Sequence, residues 1–180
     1  MKKDTNSMSR FFKNSFWAPF FGILLFLCTT SCGIYSFTGA SISPEVKTIA
    51  IKYFPNHASL VQPSLSQLFT QALRDRFAAQ TNLTQVDNAG DLTIEGEITG
   101  YGTQPVAIQS NEIAALNRLT ITVKVKFTNT KEPVQDFETT FSRYFDYDSH
   151  QNLPAVEEDL IKQINEMLVD DIFNKSVVNW

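Results

Sequence analysis

A strict two-residue alternation of apolar and polar side chains over residues 118–129 constrains the fold more than any other feature of this sequence. Hydroxyl and basic side chains occupy every second position, and the positions between them are apolar: Leu119, Ile121, Val123, Val125 and Phe127. Side chains two positions apart on a β-strand share a face, so the segment predicts a strand with one buried and one wet face. The rest of the chain must therefore supply an apolar layer that covers one face of a sheet.

Three more strands and two helices are predicted from shorter patterns. The strands cover residues 46–54, 91–101 and 134–148. A helix over 63–80 places apolar side chains at spacings of three and four: Leu65, Leu68, Phe69, Ala72, Leu73 and Phe77. A second helix over 154–174 has its own stripe: Val156, Leu160, Ile164, Leu168 and Ile172. The order β-α-β-β-β-α predicts an α+β two-layer sandwich, in which a four-stranded, mostly antiparallel sheet carries two helices on one face.

Three local features qualify this sheet. Gly96 and Gly100 fall on the apolar face of their strand, which indicates a bulge or the close approach of a neighbour. Arg143 lies in phase with the apolar side chains of the last strand, so its charge must find a partner or reach the sheet rim. Residues 102–117, between two strands, are predicted to form an extended hairpin loop.

The first 31 residues differ in character from the rest. Four basic residues precede an uncharged apolar run over residues 16–27. A membrane-spanning helix needs roughly 20 apolar residues, and this run is shorter and contains Pro19. A basic stretch, a short apolar run and small residues are the layout of a secretory signal peptide, predicted here over residues 1–31. The alternative is an N-terminal membrane anchor that is retained.

The two cysteines have different surroundings. Cys28 lies within the apolar run, whereas Cys32 follows Thr29, Thr30 and Ser31 and precedes Gly33. This arrangement resembles a bacterial lipobox, although a lipobox usually has Leu at the position of Thr29. We therefore expect diacylglycerol and an acyl chain on Cys32, and no other cofactor; ordinary cleavage that leaves a free thiol is the alternative. Residues 32–44 then form a lipidated tether and residues 45–180 the folded domain.

Charge and motifs exclude several functional classes. Residues 1–31 contain four of the 15 basic and one of the 19 acidic residues, so the remaining chain has a formal net charge of −7. Such a charge disfavours nucleic-acid binding, which depends on neutralising phosphates. The sequence has no Gly-x-Ser-x-Gly elbow, phosphate-binding loop or Cys-x-x-Cys pair. No catalytic site is predicted.

Two clusters of polar residues have competing interpretations. Asp146, Asp148 and His150 occupy alternate positions and could ligate a divalent ion, but a solvated strand end is the favoured interpretation, and no metal is predicted. Glu95 and Glu97 share a polar strand face, where a solvated surface is favoured over acid–base chemistry. His57, in a turn, is interpreted as an ordinary polar residue.

A basic strip follows the polar face of the alternating strand. Lys124 and Lys126 accompany Thr120 and Thr122, and Arg118 begins the strand. Lys and Arg donate charge-assisted hydrogen bonds to phosphates, so the strip could contact an anionic lipid head group. The simpler interpretation is a sheet face in contact with water.

The order and spacing of these segments resemble the LptE family of lipopolysaccharide-assembly lipoproteins. The resemblance extends from CGIYSF, which begins at Cys32, to the last helix. It rests on five segments of the mature chain: VKTIAIKYFPN, LSQLFTQALRDRF, DLTIEGEITGY, NRLTITVKVKF and FSRYFDYD.

The resemblance implies a non-enzymatic protein that plugs the outer-membrane β-barrel LptD, assists its assembly and binds lipopolysaccharide. It implies a periplasm-facing protein held in the outer membrane by its lipid anchor. Arg118, Lys124, Lys126 and Arg143 are the candidate lipopolysaccharide contacts. A stand-alone periplasmic lipoprotein that binds another envelope partner is the alternative, and a lipoprotein hydrolase would need a nucleophile set that the sequence does not display.

Overall fold

The computed structural model describes residues 42–60, 62–106 and 116–178. The first strand, β1, spans Thr48–Ile51, and helix α1 spans Leu65–Gln80. The remaining elements, in chain order, are β2 (Thr84–Gln85), β3 (Leu92–Val106), β4 (Leu116–Asn129), a 3-10 turn (Pro133–Gln135), β5 (Phe137–Asp148) and α2 (Leu153–Val177). The predicted signal peptide, Cys32 and the tether up to residue 41 lie outside the described residues.

The strands form one mixed sheet in the order β2-β1-β3-β4-β5. The β1 strand runs parallel to β2 and β3, whereas β3, β4 and β5 form an antiparallel meander. The predicted α+β architecture with two helices is confirmed. The described sheet has five strands instead of four, because the two-residue strand β2 adds to the edge beside β1.

The core lies between the sheet and the helices. The five apolar positions predicted from the alternation, which lie between Leu119 and Phe127 of β4, are all fully buried. They belong to one cluster with apolar residues of both helices, including Phe69 and Phe77 of α1 and Ile164 and Leu168 of α2. One face of the sheet is therefore covered, and most of the polar residues of β3, β4 and β5 lie on the opposite face.

The buried face of α1 is rotated from the predicted stripe. Leu68 is 43% exposed, whereas Ser66 and Thr70 are buried. The Thr70 hydroxyl accepts a hydrogen bond of 3.1 Å from the backbone N–H of Phe54, in the segment that follows β1. Since an unpaired buried N–H is costly, this bond favours the rotation that turns Thr70 inward and leaves Leu68 outside.

Strand β3 shows both features that its glycines indicate. A register shift lies between Ile98 and Gly100, and Gly96 lies close to the carbonyl of Lys124 and the ring of Phe54. Beyond the bulge the strand continues to Val106, and β4 begins at Leu116. The predicted loop over 102–117 is therefore wrong at both ends, where strands pair instead, and residues 107–115 lie outside the described part.

The bulge also returns Tyr101 to the covered side of the sheet, opposite Ile121. There the phenol donates a hydrogen bond to Glu157 of α2. Gln62, ahead of α1, donates to the other oxygen of the same carboxylate at 3.0 Å. Because of the bulge, Tyr101 of the meander reaches Glu157 near the start of α2, and the same carboxylate also binds Gln62 ahead of α1.

Candidate functional site

The candidate site is the side of the sheet that the helices leave uncovered, which we call the open face. Hydroxyl and charged side chains of β3, β4 and β5 cover it. Its charged members on these strands are Glu95, Glu97, Arg118, Lys124, Lys126, Glu138, Asp146 and Asp148. They lie on this face because they alternate with the buried apolar positions of their strands.

Ion pairs link the three strands at the centre of the open face. Lys126 Nζ lies 2.8 Å from Glu95 Oε1 on β3, directly opposite in register. Lys124 Nζ lies 2.5 Å from Glu138 Oε1 on β5, a diagonal neighbour. The hydrogen bond that Lys124 donates to Glu138 raises the pKa of Lys124, and the bond that Lys126 donates to Glu95 raises the pKa of Lys126. Both amines are therefore charged at neutral pH and already partnered.

Arg118 and its contacts form a second group on the same face, near the start of β4. Its guanidinium donates two hydrogen bonds to the carboxylate of Asp146, at 2.7 and 2.9 Å. The guanidinium also lies 3.6 Å from the centroid of the Tyr144 ring. The hydrogen bond from Arg118 lowers the pKa of Asp146. These two parallel hydrogen bonds fix the orientation of the guanidinium, and a phosphate could accept bonds from the same two N–H groups.

A shallow basin of about 400 Å³ opens among the central ion pairs. Three lysines and three glutamates line it: Lys52, Glu95, Glu97, Lys124, Lys126 and Glu138. On one side the Nδ1 atom of His57 lies 2.7 Å from Glu97 Oε2. Because its positive and negative charges balance, the basin is better suited to contact a polar or zwitterionic surface than to bind a single strong anion.

Arg143 is separated from the other three candidate cations. It lies opposite Ile121, on the covered side of the sheet. Its guanidinium donates two hydrogen bonds to Asp171 of α2, at 2.6 and 2.7 Å. The expectation that this arginine needs a partner is confirmed. The structure thus brings Arg118, Lys124 and Lys126 onto one face and places Arg143 on the other.

The residues considered as metal ligands have other contacts. Asp146 is paired with Arg118, and Asp148 accepts hydrogen bonds from the backbone N–H and Nδ1 of His150, both at 2.8 Å. Over residues 42–60, 62–106 and 116–178, no three His, Cys, Asp or Glu side chains are grouped to hold a metal ion. No helix in these ranges is long and apolar enough to cross a membrane.

Sequence reasoning missed the ion pairs of the open face. Glu95 and Glu97 were interpreted as a solvated surface, yet they lie opposite Lys126 and Lys124 in the β3–β4 register. The signal was present, because two alternating strands joined as a hairpin place every second residue of one strand opposite every second residue of the other. The sequence does not show which residues of β3 and β4 lie opposite each other, because the bulge at Gly100 shifts their pairing.

Three solved lipoprotein structures are similar to this chain. A minor lipoprotein from Acinetobacter baumannii has a TM-score of 0.49 and 11% identity, covering 72% of this chain and 91% of its own. The rare lipoprotein B from Shewanella oneidensis has a TM-score of 0.45 and 12% identity, covering 72% and 90%. A lipoprotein B from Nitrosomonas europaea has a TM-score of 0.44 and 16% identity, covering 71% and 80%.

The sequence itself matches a family profile. No match is found among curated protein sequences. The profile of LptE, described as lipopolysaccharide-assembly, matches residues 46–176, from the residues before β1 to the last turn of α2. That range contains α1, all but the last residue of α2, the five described strands and the whole open face. The chain therefore belongs to the LptE family of lipopolysaccharide-assembly proteins.

Proposed function

We propose that this protein is a non-catalytic outer-membrane lipoprotein that plugs an LptD-like β-barrel, assists its assembly and helps deliver lipopolysaccharide to the cell surface. Membership of a lipopolysaccharide-assembly family supports the general role. The observation that carries the finer proposal is the open face, a charged and hydroxyl-rich surface on an otherwise compact sandwich. The lumen of a large outer-membrane barrel is polar, and a surface of this kind fits such surroundings.

Anchoring through Cys32 is the second part of the proposal. Two or three acyl chains on one cysteine form a stable anchor, whereas a single chain binds a membrane only marginally. A lipid anchor would hold the domain on the periplasmic side of the outer membrane, beside the barrel that it serves. The tether over residues 32–44 provides the length between the anchor and the domain.

Lipopolysaccharide would meet the open face through its phosphates. Arg118, Lys124 and Lys126 supply charge-assisted donors on that face, while Arg143 lies on the other side of the sheet. If the phosphates bind here, they compete with Asp146, Glu138 and Glu95, which hold these cations in the structure. Binding therefore takes the form of an exchange of anionic partners.

The role is tested by isolating the protein from membranes in mild detergent. We expect a large β-barrel to co-purify with it, and depletion of the protein to lower both surface lipopolysaccharide and the amount of assembled barrel. Recovery without a barrel, together with a normal cell surface, would contradict the plug and favour a stand-alone lipoprotein with another envelope partner.

The contact with lipopolysaccharide is tested separately on the purified protein. The double variant Lys124→Gln/Lys126→Gln is expected to bind lipopolysaccharide more weakly and still to recover the barrel. The matched control is Arg143→Gln, which also removes a basic side chain but on the opposite side of the sheet. If both variants bind lipopolysaccharide equally well, the open face is not where the lipid binds.

A further inference from the structure

The open face divides into a charged part and an uncharged part. The charged part is the basin that lysines and glutamates line. Beyond it, three rows of residues cross β3, β4 and β5 in register: Gly100, Thr122 and Ser142; Gly102, Thr120 and Tyr144; Gln104, Arg118 and Asp146. An open hollow of about 380 Å³ lies along the β3 and β4 members of these rows, and the residues that line it are all uncharged. We call it the hydroxyl hollow.

Two glycines leave space on this part of the face. Gly100 and Gly102 lie opposite Thr122 and Thr120 of β4, at positions where another residue would place a side chain over the open face. No atom lies within 4 Å of a Cβ placed on Gly102. Tyr144, which is 50% exposed, stands in the same row on β5. The backbone of β3 is therefore accessible beside Thr120, and a ligand has room to lie against it.

The polar groups around the hollow retain capacity for further hydrogen bonds. Within the described part of the chain, the side chains of Thr120 and Gln104 bond to no other residue. Thr122 Oγ1 lies 3.0 Å from Ser142 Oγ, so one hydroxyl hydrogen of this pair is used and the other is not. A hydroxyl group both donates and accepts, and an amide offers two donors and an acceptor. These groups therefore suit a ligand that also carries donors and acceptors together.

The ion pair beside the hollow has spare capacity of the same kind. A guanidinium has five N–H groups, and Arg118 gives two of them to Asp146, which leaves three. Each carboxylate oxygen of Asp146 accepts one of these bonds and has a second lone pair. The guanidinium also lies against the ring of Tyr144, which helps to hold it in place. A neutral hydroxyl can thus bond to the pair without breaking it, whereas an anion would meet the charge of Asp146.

We propose that the hydroxyl hollow binds a neutral sugar unit from the saccharide part of lipopolysaccharide, an inference that rests on the function proposed for this protein. A sugar ring presents hydroxyl groups that donate and accept hydrogen bonds, as the groups around the hollow do. It carries no charge, so it need not displace a carboxylate of the open face. The two polar parts of lipopolysaccharide then have separate places on this face: the phosphates at the cations, and the sugars at the hydroxyl groups.

Titration of the purified full chain with two saccharides tests the binding, in a detergent that has no sugar head group. The first probe is the oligosaccharide of lipopolysaccharide, freed of its acyl chains and phosphates, and the second is maltoheptaose. We expect the first probe to shift the methyl NMR signals of Thr120 and Thr122, and to bind more tightly than the second. Unchanged signals would overturn the proposal. Equal affinity for both saccharides would contradict lipopolysaccharide as the source of the sugar.

Two substitutions locate the site. Gly102→Leu fills the hollow and should weaken oligosaccharide binding by about tenfold or more. Thr120→Val removes one hydroxyl group and should weaken it by about three- to tenfold. The matched control is Thr128→Val, the same exchange on the same strand about 27 Å away, which should bind as the unchanged chain does. Urea unfolding shows whether each variant is folded. If the three variants bind equally, or if inorganic phosphate displaces the oligosaccharide, the hollow is not a saccharide site.

Failure of this proposal is distinguishable from failure of the plug role. Co-purification of the barrel in mild detergent reports on the plug, whereas the titration of the purified chain reports on the hollow. A chain that recovers the barrel but leaves the oligosaccharide unbound contradicts the saccharide site alone. A chain that binds the oligosaccharide, and loses this binding with Gly102→Leu, supports the saccharide site whether or not the barrel is recovered.

Discussion

The ring of Phe54 lies directly over Gly96, so that a Cβ atom on Gly96 would stand 2.7 Å from the Cε1 atom of that ring. The same added carbon would collide with the backbone carbonyl of Lys124 on β4. Phe54 is fully buried and packs edge-on against Phe69 of α1, with ring centroids 5.1 Å apart. The glycine therefore allows the segment after β1 to insert an aromatic side chain between β3 and α1.

Replacing this glycine is expected to destabilise the domain. Gly96→Ala should lower the free energy of unfolding by about 1–3 kcal/mol, the usual cost of overpacking, because neither the β4 backbone nor the Phe54 ring can move freely. Urea unfolding followed by circular dichroism measures the change. Gly102→Ala is the matched control, since no atom lies within 4 Å of its added carbon. Equal losses in the two variants would contradict the packing argument.

A second prediction concerns the carboxylate that joins the start of β1 to the start of β3. Asp91 Oδ2 accepts hydrogen bonds from the backbone N–H of Lys47 and from the backbone and hydroxyl of Thr48, at 2.8 to 3.0 Å. These bonds lower the pKa of Asp91 from 3.8 to about 2, the bond from Lys47 contributing most.

A carboxyl group with a lowered folded-state pKa stabilises the fold above its ordinary pKa and loses that contribution as the pH falls through the folded value. Asp91→Asn should therefore lower the melting temperature at pH 7, and the difference from the unchanged protein should narrow between about pH 4 and pH 2. Thermal unfolding at several pH values measures this. Asp87→Asn serves as the control, because among the described residues its side chain makes no hydrogen bond. A difference that is constant with pH would refute the assignment.

The third prediction concerns Tyr101 and its hydrogen bond to Glu157. Burial is the main cause that raises the pKa of this phenol, followed by the bond to Glu157. Tyr101→Phe leaves a partly buried carboxylate with one fewer donor, and we expect a loss of about 1–3 kcal/mol in the free energy of unfolding. Tyr53→Phe, at a position that is 58% exposed, should change stability little. Chemical unfolding compares the two, and similar values would show that the bond to Glu157 contributes nothing.

The fourth prediction concerns the anchor. Cys32→Ser should abolish incorporation of radioactive palmitate and leave residues 1–31 attached or differently cleaved, because lipidation precedes cleavage at a lipobox. Cys28→Ser, four positions earlier, should retain the label. Intact-mass measurement of the mature chain gives an independent check, since the acyl groups add a defined mass to its first residue. An unmodified cysteine at that position would exclude a lipid anchor.

Much of the fold follows from local patterns in the sequence, and the failures have physical causes. The alternation over β4 identifies every buried apolar residue there, because each side of that strand has one environment. Strand β2 has only two residues, Thr84 and Gln85, and two residues carry no period. Leu68 was assigned to the core because hydrophobic spacing ignores Thr70, whose hydroxyl bonds a distant backbone N–H.

The sequence predicts which side of the strands carries the candidate site, but not which of its side chains contact one another. The sequence places Lys124 and Lys126 on a polar strand surface, but their carboxylate partners come from β3 and β5, and the register decides which residues meet. Arg143 was expected to need a partner, yet nothing local singles out Asp171, 28 positions later on α2. Long-range pairing of this kind depends on how the helix crosses the sheet.

The cations of the open face are already paired with carboxylates, so an anionic ligand must displace those carboxylates in order to bind. Since Arg118, Lys124 and Lys126 each hold a carboxylate already, a singly charged, diffuse anion has little to gain by displacing it. A compact dianion, such as a phosphate monoester, attracts a cation more strongly than a carboxylate does and also releases the displaced acid to water. The surface would thus admit an anion only by such an exchange, because its three cations on β3, β4 and β5 stand among five carboxylates.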